Sequence, residues 1–280
     1  MNTAPATPDT QQARAQAPGG TRHHGPAFAA FPALTVRSLR ACARTPSLLL
    51  SPLLMSAFFL VIYEGQLSSV AGATAPGGRY VDVVLPLCLL TTAFTGGATA
   101  GQLLVRDIES GYHARLWLTP AARWTLIAAP VLAGIVVLAA QAAALTALGL
   151  PLGLDPAAGV PALFALVGAT VLLGTGFLLL AAAVGLHTGN SSAVGSVTMV
   201  FFPLSFFTAT FVPRERLDGW MARAADLNPL SPPLDAMRGL LTSPWSEQNV
   251  LPGALVATGI LVTGAVAARV ALIRRTRTGV

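Results

Sequence analysis

The sequence contains no lysine, since all seventeen of its basic residues are arginine. A standard Walker A loop needs a lysine that reaches the phosphates of the nucleotide. Schiff-base chemistry needs a lysine amine. The missing residue type therefore excludes both a standard ATP-binding loop and a lysine-dependent enzyme in this chain.

Charge of either sign is also scarce. Only 10% of the 280 residues are charged and 54% are hydrophobic, with a mean hydropathy of +0.66. A soluble domain carries about 25% charged residues, so this composition predicts an integral membrane protein. The net charge of +6 is spread over the ends of apolar stretches, whereas nucleic-acid-binding proteins concentrate it in one patch. We therefore expect membrane lipids, and no nucleic acid, as partners.

Cysteine and histidine are too few and too scattered to predict a site. Cys42 and Cys88 lie far apart, which predicts neither a disulfide nor a shared metal. His23 and His24 are adjacent but lack the further ligands that a metal site needs. His113 has no partnered nucleophile or second base. We expect no catalytic residue, no metal and no cofactor bound by this chain.

Long apolar segments are abundant, and they predict an all-α integral membrane protein with six transmembrane helices. A helix needs about 20 apolar residues to cross a bilayer. From Pro156 to Pro213 the chain has no Asp, Glu or Arg, but a polar turn at 187–192 divides this run into two spans. The candidate spans are 46–63, 80–104, 125–150, 161–186, 193–212 and 250–273, within a membrane domain over 46–275.

The segments at the two ends of the chain differ from the spans. Residues 1–27 are rich in Ala, Pro, Thr, Gln and Gly and predict a disordered tail, and 276–280 form a short cytoplasmic tail. Over 28–45 an apolar stripe opposes an arginine stripe, which favours a helix lying in the cytoplasmic headgroup layer. The alternative is a basic flank of the first span. The two stripes are Phe28, Phe31, Thr35, Leu39 and Cys42 against Arg37, Arg40 and Arg44.

The distribution of arginine predicts the orientation in the membrane. With the amino end inside, twelve arginines fall on the cytoplasmic side and five outside. Both termini and the loop 105–124 are then cytoplasmic, and the segment 213–249 is extracellular.

The extracellular segment 213–249 predicts two short amphipathic helices. In the first, Leu217, Trp220, Met221 and Ala224 share a face. In the second, Ser231 is the expected N-cap and Pro232 the first helical residue. Leu234, Met237 and Leu241 then align on one side, with Asp235 three residues before Arg238 on the other.

Polar residues within the spans are mostly small. No acid is predicted at mid-membrane depth, which argues against an ion-coupled carrier. Thr95, Thr99 and Gln141 are candidates for lining a substrate path, although small and hydroxyl residues in spans more often serve helix packing.

The cytoplasmic loop 105–124 mixes charged residues with Tyr112, Leu116, Trp117 and Leu118. Tyr, Trp and Arg are common anchors of protein interfaces. The loop therefore predicts a docking surface for a cytoplasmic partner, or else a solvated connection with an interfacial Trp.

Two stretches of the sequence are similar to one known family, the membrane subunits of ABC type-2 exporters, and especially to permeases of the daunorubicin-resistance type. The resemblance covers residues 28–275. The first stretch is the cytoplasmic loop, and the second follows the fifth candidate span. The matching residues of the loop are Asp107, Glu109, Gly111, Arg115, Leu116, Thr119 and Pro120. Those of the second stretch are Pro203, Leu204, Ser205, Phe211, Val212, Pro213, Gly219, Trp220, Asn228, Pro229, Asp235, Ala236, Arg238 and Leu240.

The resemblance implies a permease in a bacterial cell membrane that works as a homodimer or heterodimer with two copies of a separate ATPase. ATP and Mg would then be bound by that ATPase. The substrate would be an amphiphilic drug, antibiotic or lipid-like molecule, exported by alternating access. The implied coupling residues are Asp107, Glu109, Gly111, Tyr112 and Arg115, and the implied extracellular gate contains Pro213, Trp220, Asn228, Pro229, Asp235 and Arg238.

Two other classes of protein remain as alternatives. An intramembrane enzyme would need paired acids, a Ser/His pair or metal ligands at one depth, and turnover of a labelled lipid by the purified protein would reveal it. A membrane scaffold would bind a partner without moving a substrate.

Overall fold

The computed structural model describes residues 30–71, 79–109, 125–208 and 219–278. Within these ranges the chain is helical and contains no strand, which confirms the all-α prediction. A short 3₁₀ turn, Ser191–Val194, precedes the helix that begins at Gly195. The helices are α1 (Ala30–Ala43), α2 (Pro46–Ala71), α3 (Val81–Glu109), α4 (Thr125–Gly149), α5 (Val160–Thr188), α6 (Gly195–Phe206), α7 (Gly219–Leu227), α8 (Ser231–Thr242) and α9 (Glu247–Thr278).

Four of the described helices are long and apolar enough to cross a membrane. They correspond to the predicted second, third, fourth and sixth spans and run over Val81–Asp107, Ala128–Gly149, Val160–Thr188 and Glu247–Arg274. The apolar parts of α2 and of the α6 region are shorter, Leu50–Gln66 and Ser191–Phe206. Four spans are therefore clear, and the count of six stays a prediction.

The polar turn predicted between the fourth and fifth spans is present. Helix α5 ends at Thr188, and Gly189 follows with φ of 67°. This left-handed conformation costs glycine little because it has no Cβ. The chain then reverses into the 3₁₀ turn, where the side chain of Asn190 accepts a hydrogen bond from the backbone N–H of Ser192 at 2.8 Å.

Helix α5 lies at the centre of the fold, with α3, α4 and α9 packed around it. Glycines allow very close contact on both sides of α5. A Cβ on Gly97 of α3 would collide with the carbonyl oxygen of Gly174, and one on Gly264 of α9 would lie 2.6 Å from that of Gly176. Small residues let membrane helices approach closely and gain dispersion contacts.

Helix α1 packs against α4 rather than extending the first apolar helix. Thr35 and Ser38 are buried, whereas Arg40 and Arg44 are exposed. The division of this helix into an apolar face and an arginine face stays a prediction, as does its place in the headgroup layer.

Both short helices predicted for the segment before the last span are present as α7 and α8. The buried face of α8 includes Leu234, Met237 and Leu241, as expected. The predicted N-cap is wrong, because the helix begins at Ser231 itself and Leu230 is the capping residue, without a side-chain cap. The hydroxyl of Ser231 instead donates to the carbonyl oxygen of Ala225 at 2.7 Å, which joins α8 to α7.

The contact between α3 and α5 gives a test of the packing. Gly97→Ala should lower the free energy of unfolding by about 1–3 kcal/mol, because the added methyl must push a backbone carbonyl aside. Thermal unfolding of the detergent-solubilised protein measures this change. The matched control is Gly168→Ala on the exposed side of α5, where a Cβ would meet nothing within 4 Å. Equal thermal stability of the two variants would contradict the close contact.

Candidate functional site

A cavity of about 240 Å³ lies between α2, α3 and α6. Six of its ten lining residues carry a hydroxyl group: Ser51, Ser56, Thr91, Thr95, Thr99 and Thr198. Pro52, Met55, Phe59 and Phe202 complete the wall. The cavity is partly open, since Ser51 and Met55 are exposed.

Three of these hydroxyls recur every four residues along α3, so they share one face of the helix. Thr95 Oγ1 donates to the carbonyl oxygen of Thr91 at 2.6 Å, and Thr99 Oγ1 donates to that of Thr95 at 2.9 Å. Thr91 Oγ1 donates to the carbonyl oxygen of Cys88, three residues earlier, at 2.8 Å. Because the protons are used inside the helix, the oxygens present acceptor lone pairs to the cavity. The wall is therefore weakly polar and uncharged.

The structure separates Gln141 from the two threonines with which it was predicted to line a path. Gln141 lies on α4, is 5% exposed and packs against Gly96 of α3. A Cβ on Gly96 would lie 2.6 Å from Gln141 Oε1. Thr95 and Thr99 line the cavity, whereas Gln141 sits on another side of α3.

One end of the helical bundle, named here the Glu109 end, holds two of the predicted coupling residues. Ser191 donates its backbone N–H to Glu109 Oε1 at 2.5 Å, although 82 residues separate the two in sequence. Asp107 lies near Cys42 of α1. Burial, and then the negative charge of Asp107, raises the pKa of the Cys42 thiol. Gly111, Tyr112 and Arg115 lie outside the described residues.

The opposite end of the bundle, named here the Arg79 end, is rich in charged and phenolic groups. Arg79 pairs with Asp155 at 3.0 Å and contacts Asp82 at 3.6 Å, so the start of α3 is joined to the segment after α4. Burial raises the pKa of the Tyr80 phenol, as do the neighbouring Tyr63 and Glu64 of α2. The charge of Arg238 on α8 acts in the opposite direction. The four helices α2, α3, α4 and α8 therefore meet at this end.

The predicted gate residues at the Arg79 end fall into separate contacts rather than one site. Asp235 and Arg238 form an ion pair at 3.8 Å on α8, with the Arg238 side chain 18% exposed. Burial lowers the pKa of the Arg238 guanidinium, and Asp235 opposes that shift. Trp220 is 69% exposed, with its ring centroid 6.2 Å from that of Phe207. Pro229 is exposed, and Pro213 lies outside the described residues.

Asn228 is the gate residue with the clearest structural role. It is 5% exposed, and its Nδ2 donates to the carbonyl oxygen of Leu204 at 2.6 Å. Its Oδ1 accepts from the backbone N–H of Leu230 at 3.0 Å. One side chain thus joins the end of α6 to the turn before α8.

Several residues that shape these sites were missed in the sequence. Ser51, Ser56 and Thr198 line the cavity, and Gln102 and Ser191 form the contact next to Glu109. The spacing of four residues between Thr91, Thr95 and Thr99 indicates a helix face that carries hydroxyl groups. Nothing in the sequence indicated which helices would face it.

The fold and these sites define an all-helical, multi-pass membrane protein with an uncharged cavity between its helices. Residues 29–242 match the family model described as ABC-2 type transporter. That match covers most of the chain, so the chain belongs to the ABC-2 type transporter family, and the resemblance predicted from the sequence is confirmed.

Two relatives are named as drug-resistance permeases. The probable doxorubicin resistance ABC transporter permease protein DrrC of Mycobacterium tuberculosis is 26% identical over 206 residues, which is 73% of this chain and 74% of that protein. The daunorubicin resistance ABC transporter permease protein DrrB1 of Streptomyces coeruleorubidus is 26% identical over 207 residues, 73% of this chain and 72% of that protein. The matched family segment contains α1 to α8, and with them the cavity and both ends of α3.

The two hydrogen bonds of Asn228 generate a prediction. Asn228→Ala should lower the free energy of unfolding by about 1–3 kcal/mol, because the buried N–H of Leu230 loses its acceptor and the carbonyl of Leu204 keeps only the hydrogen bond from the backbone N–H of Phe207. Thermal unfolding in detergent is the measurement. Asn249→Ala, at an exposed asparagine of α9, is the control and should change little. A stable Asn228→Ala protein would show that neither bond contributes.

Proposed function

We propose that this chain is the membrane permease subunit of an ATP-binding-cassette exporter in a bacterial cell membrane. It moves an amphiphilic drug, antibiotic or lipid-like molecule out of the cell by alternating access, and a separate ATPase supplies the energy. The observation that carries the proposal is the family match over residues 29–242, which includes the cavity and the Glu109 end of the bundle. In this proposal the chain itself catalyses no reaction.

The need for a separate ATPase is supported by the sequence. Without lysine the chain cannot form the standard phosphate-binding loop, so ATP and Mg belong on the partner. We propose two ATPase copies and a permease dimer, with the loop 105–124 as the docking surface. The Glu109 end and both termini are then cytoplasmic, as the distribution of arginine predicts.

The cavity between α2, α3 and α6 is the proposed start of the substrate path. Its hydroxyl oxygens and aromatic side chains suit a molecule with both apolar surface and hydrogen-bond donors. The neighbouring faces of α2 and α6 expose large apolar residues, including Met55 at 52% and Met199 at 80%. A second permease copy across these faces would close the open side of the cavity, although lipid chains could also cover them.

The class of substrate is proposed from the relatives. One is named for doxorubicin resistance and another for daunorubicin resistance. These two compounds are therefore the first to be tested, followed by other amphiphilic antibiotics and by lipids.

Purification from native membranes tests the proposal. We expect an ATPase with a Walker A loop to co-purify in a fixed ratio and to hydrolyse ATP. The double variant Tyr112→Ala and Arg115→Ala should reduce the amount of bound ATPase, because it removes interface anchors from the docking loop. A chain that purifies alone and stable would contradict the exporter, and turnover of a labelled lipid by that chain would establish the enzyme instead.

A substitution inside the cavity tests the substrate path. Thr95→Leu together with Thr99→Leu adds bulk to a space of about 240 Å³. An overpacking cost of about 1–3 kcal/mol, subtracted from the free energy of substrate binding, corresponds to an approximately 5- to 150-fold loss of substrate affinity. Drug efflux from cells or vesicles is the measurement.

The matched control for this substitution is Thr258→Leu on α9. Thr258 makes the same hydrogen bond to the carbonyl four residues earlier, at 2.8 Å, but is exposed and far from the cavity lining. Equal efflux by the double variant and the control would show that the cavity is not part of the substrate path.

A further inference from the structure

The end of α3 next to the docking loop is attached along one face to the end of α5 and to the 3₁₀ turn. Ala98, Gln102, Val105 and Glu109 recur at intervals of three and four residues, so they form a single stripe. Val105 is fully buried and fills the space opposite Gly185 of α5, where a Cβ would lie 2.5 Å from it. The stripe thus places the apolar contact of Val105 between two polar side chains, Gln102 before it and Glu109 after it.

The two polar members of the stripe hold one residue of the turn. Ser191 donates its N–H to Glu109 Oε1 at 2.5 Å, and its carbonyl oxygen accepts from Gln102 Nε2 at 3.3 Å. Ser191 is 8% exposed. Both backbone groups of this buried residue are therefore bound by side chains of α3, two helical turns apart.

The position of Ser191 in the chain connects this attachment to the cavity. The 3₁₀ turn leads directly into α6, whose Thr198 and Phe202 line the cavity. On the other side, Glu109 is the last residue of α3, and residues 110–124 of the docking loop follow it. Glu109 therefore lies between that part of the loop and the wall of the cavity.

We propose that Glu109 is a positioning residue that transmits movement of the docking loop through Ser191 to α6, and so to the cavity. The inference rests on the proposed function and deepens it. It assigns Glu109 a role inside the permease, distinct from the contact with the ATPase that is proposed for Tyr112 and Arg115. What Glu109 supplies is a hydrogen-bond acceptor for the backbone of the turn.

An acceptor role and a docking role differ in what they require of the side chain. An amide retains the carbonyl oxygen that Ser191 needs and loses only the charge. Glu109→Gln should therefore keep the link, whereas Glu109→Ala should break it. A charge used for docking would be lost in both variants.

The reciprocal variant is Ser191→Pro, which removes the donor. Proline is tolerated at the first residue of a helical turn, and the preceding Asn190 has extended backbone angles (φ −137°, ψ 117°) that suit a following proline. The control is Asn190→Ala, which removes the separate hydrogen bond to Ser192 but leaves the contact with α3.

The readout is the accessibility of Thr198→Cys to a methanethiosulfonate reagent. The natural cysteines are first replaced by Cys42→Ser and Cys88→Ala, and the permease is reconstituted with its ATPase in vesicles. We expect the labelling rate to change when ATP or a non-hydrolysable analogue is added. That change should persist in Glu109→Gln and Asn190→Ala, and be lost in Glu109→Ala and Ser191→Pro, with the ATPase still bound.

Each outcome decides between explanations. A nucleotide-dependent change that survives in Glu109→Ala or Ser191→Pro overturns the inference, as does loss of bound ATPase in Glu109→Gln. Loss of the change in Asn190→Ala also overturns it, because loosening of the turn alone would then be sufficient. If no ATPase binds the unmodified chain, the proposed function fails before the link is tested.

Discussion

The close contact between α3 and α5 is the constraint on which the rest of the structure depends. Because residue 97 is glycine, the backbone of α3 can lie against the carbonyl oxygen of Gly174 on α5, where a Cβ would not fit. Gly101 makes a similar contact one turn later, where a Cβ would lie 2.7 Å from the carbonyl oxygen of Leu178. In a bilayer the apolar side chains gain little by leaving lipid, so dispersion contacts at such close range supply much of the association. Once α3 is fixed on α5, its opposite threonine face is directed toward α2 and α6 and becomes a cavity wall.

The existence and approximate ends of the helices could be predicted from the sequence. Length and hydropathy identified α3, α4, α5 and α9 as spans, and the polar residues at 187–192 identified the turn. Amphipathic spacing identified α1, α7 and α8, because these helices carry polar residues that mark one face. In α8 the predicted apolar face is buried, although the N-terminal residue was displaced by one position.

The rotation of each span about its own axis could not be predicted. A helix such as α4 is apolar on all sides, so no pattern shows which side faces protein. For this reason Gln141 was grouped with Thr95 and Thr99, whereas the structure places it against Gly96. The contact between Glu109 and Ser191 was invisible for the same reason, since it depends on how α3 and the turn are rotated toward each other.

Helix α3 is the element through which the two ends of the bundle can influence each other. Its 29 residues span about 43 Å at 1.5 Å per residue. Arg79 joins its start to Asp155, its threonines line the cavity, and Glu109 joins its end to Ser191. Pro86 is the one proline inside this helix, and it lies on the Arg79 side of the threonines, so the helical segment from Thr91 to Glu109 has no proline that would break its backbone hydrogen bonds. In the proposed exporter, a displacement imposed at the Glu109 end therefore reaches the threonine face of the cavity along this segment, as well as through Ser191 and α6.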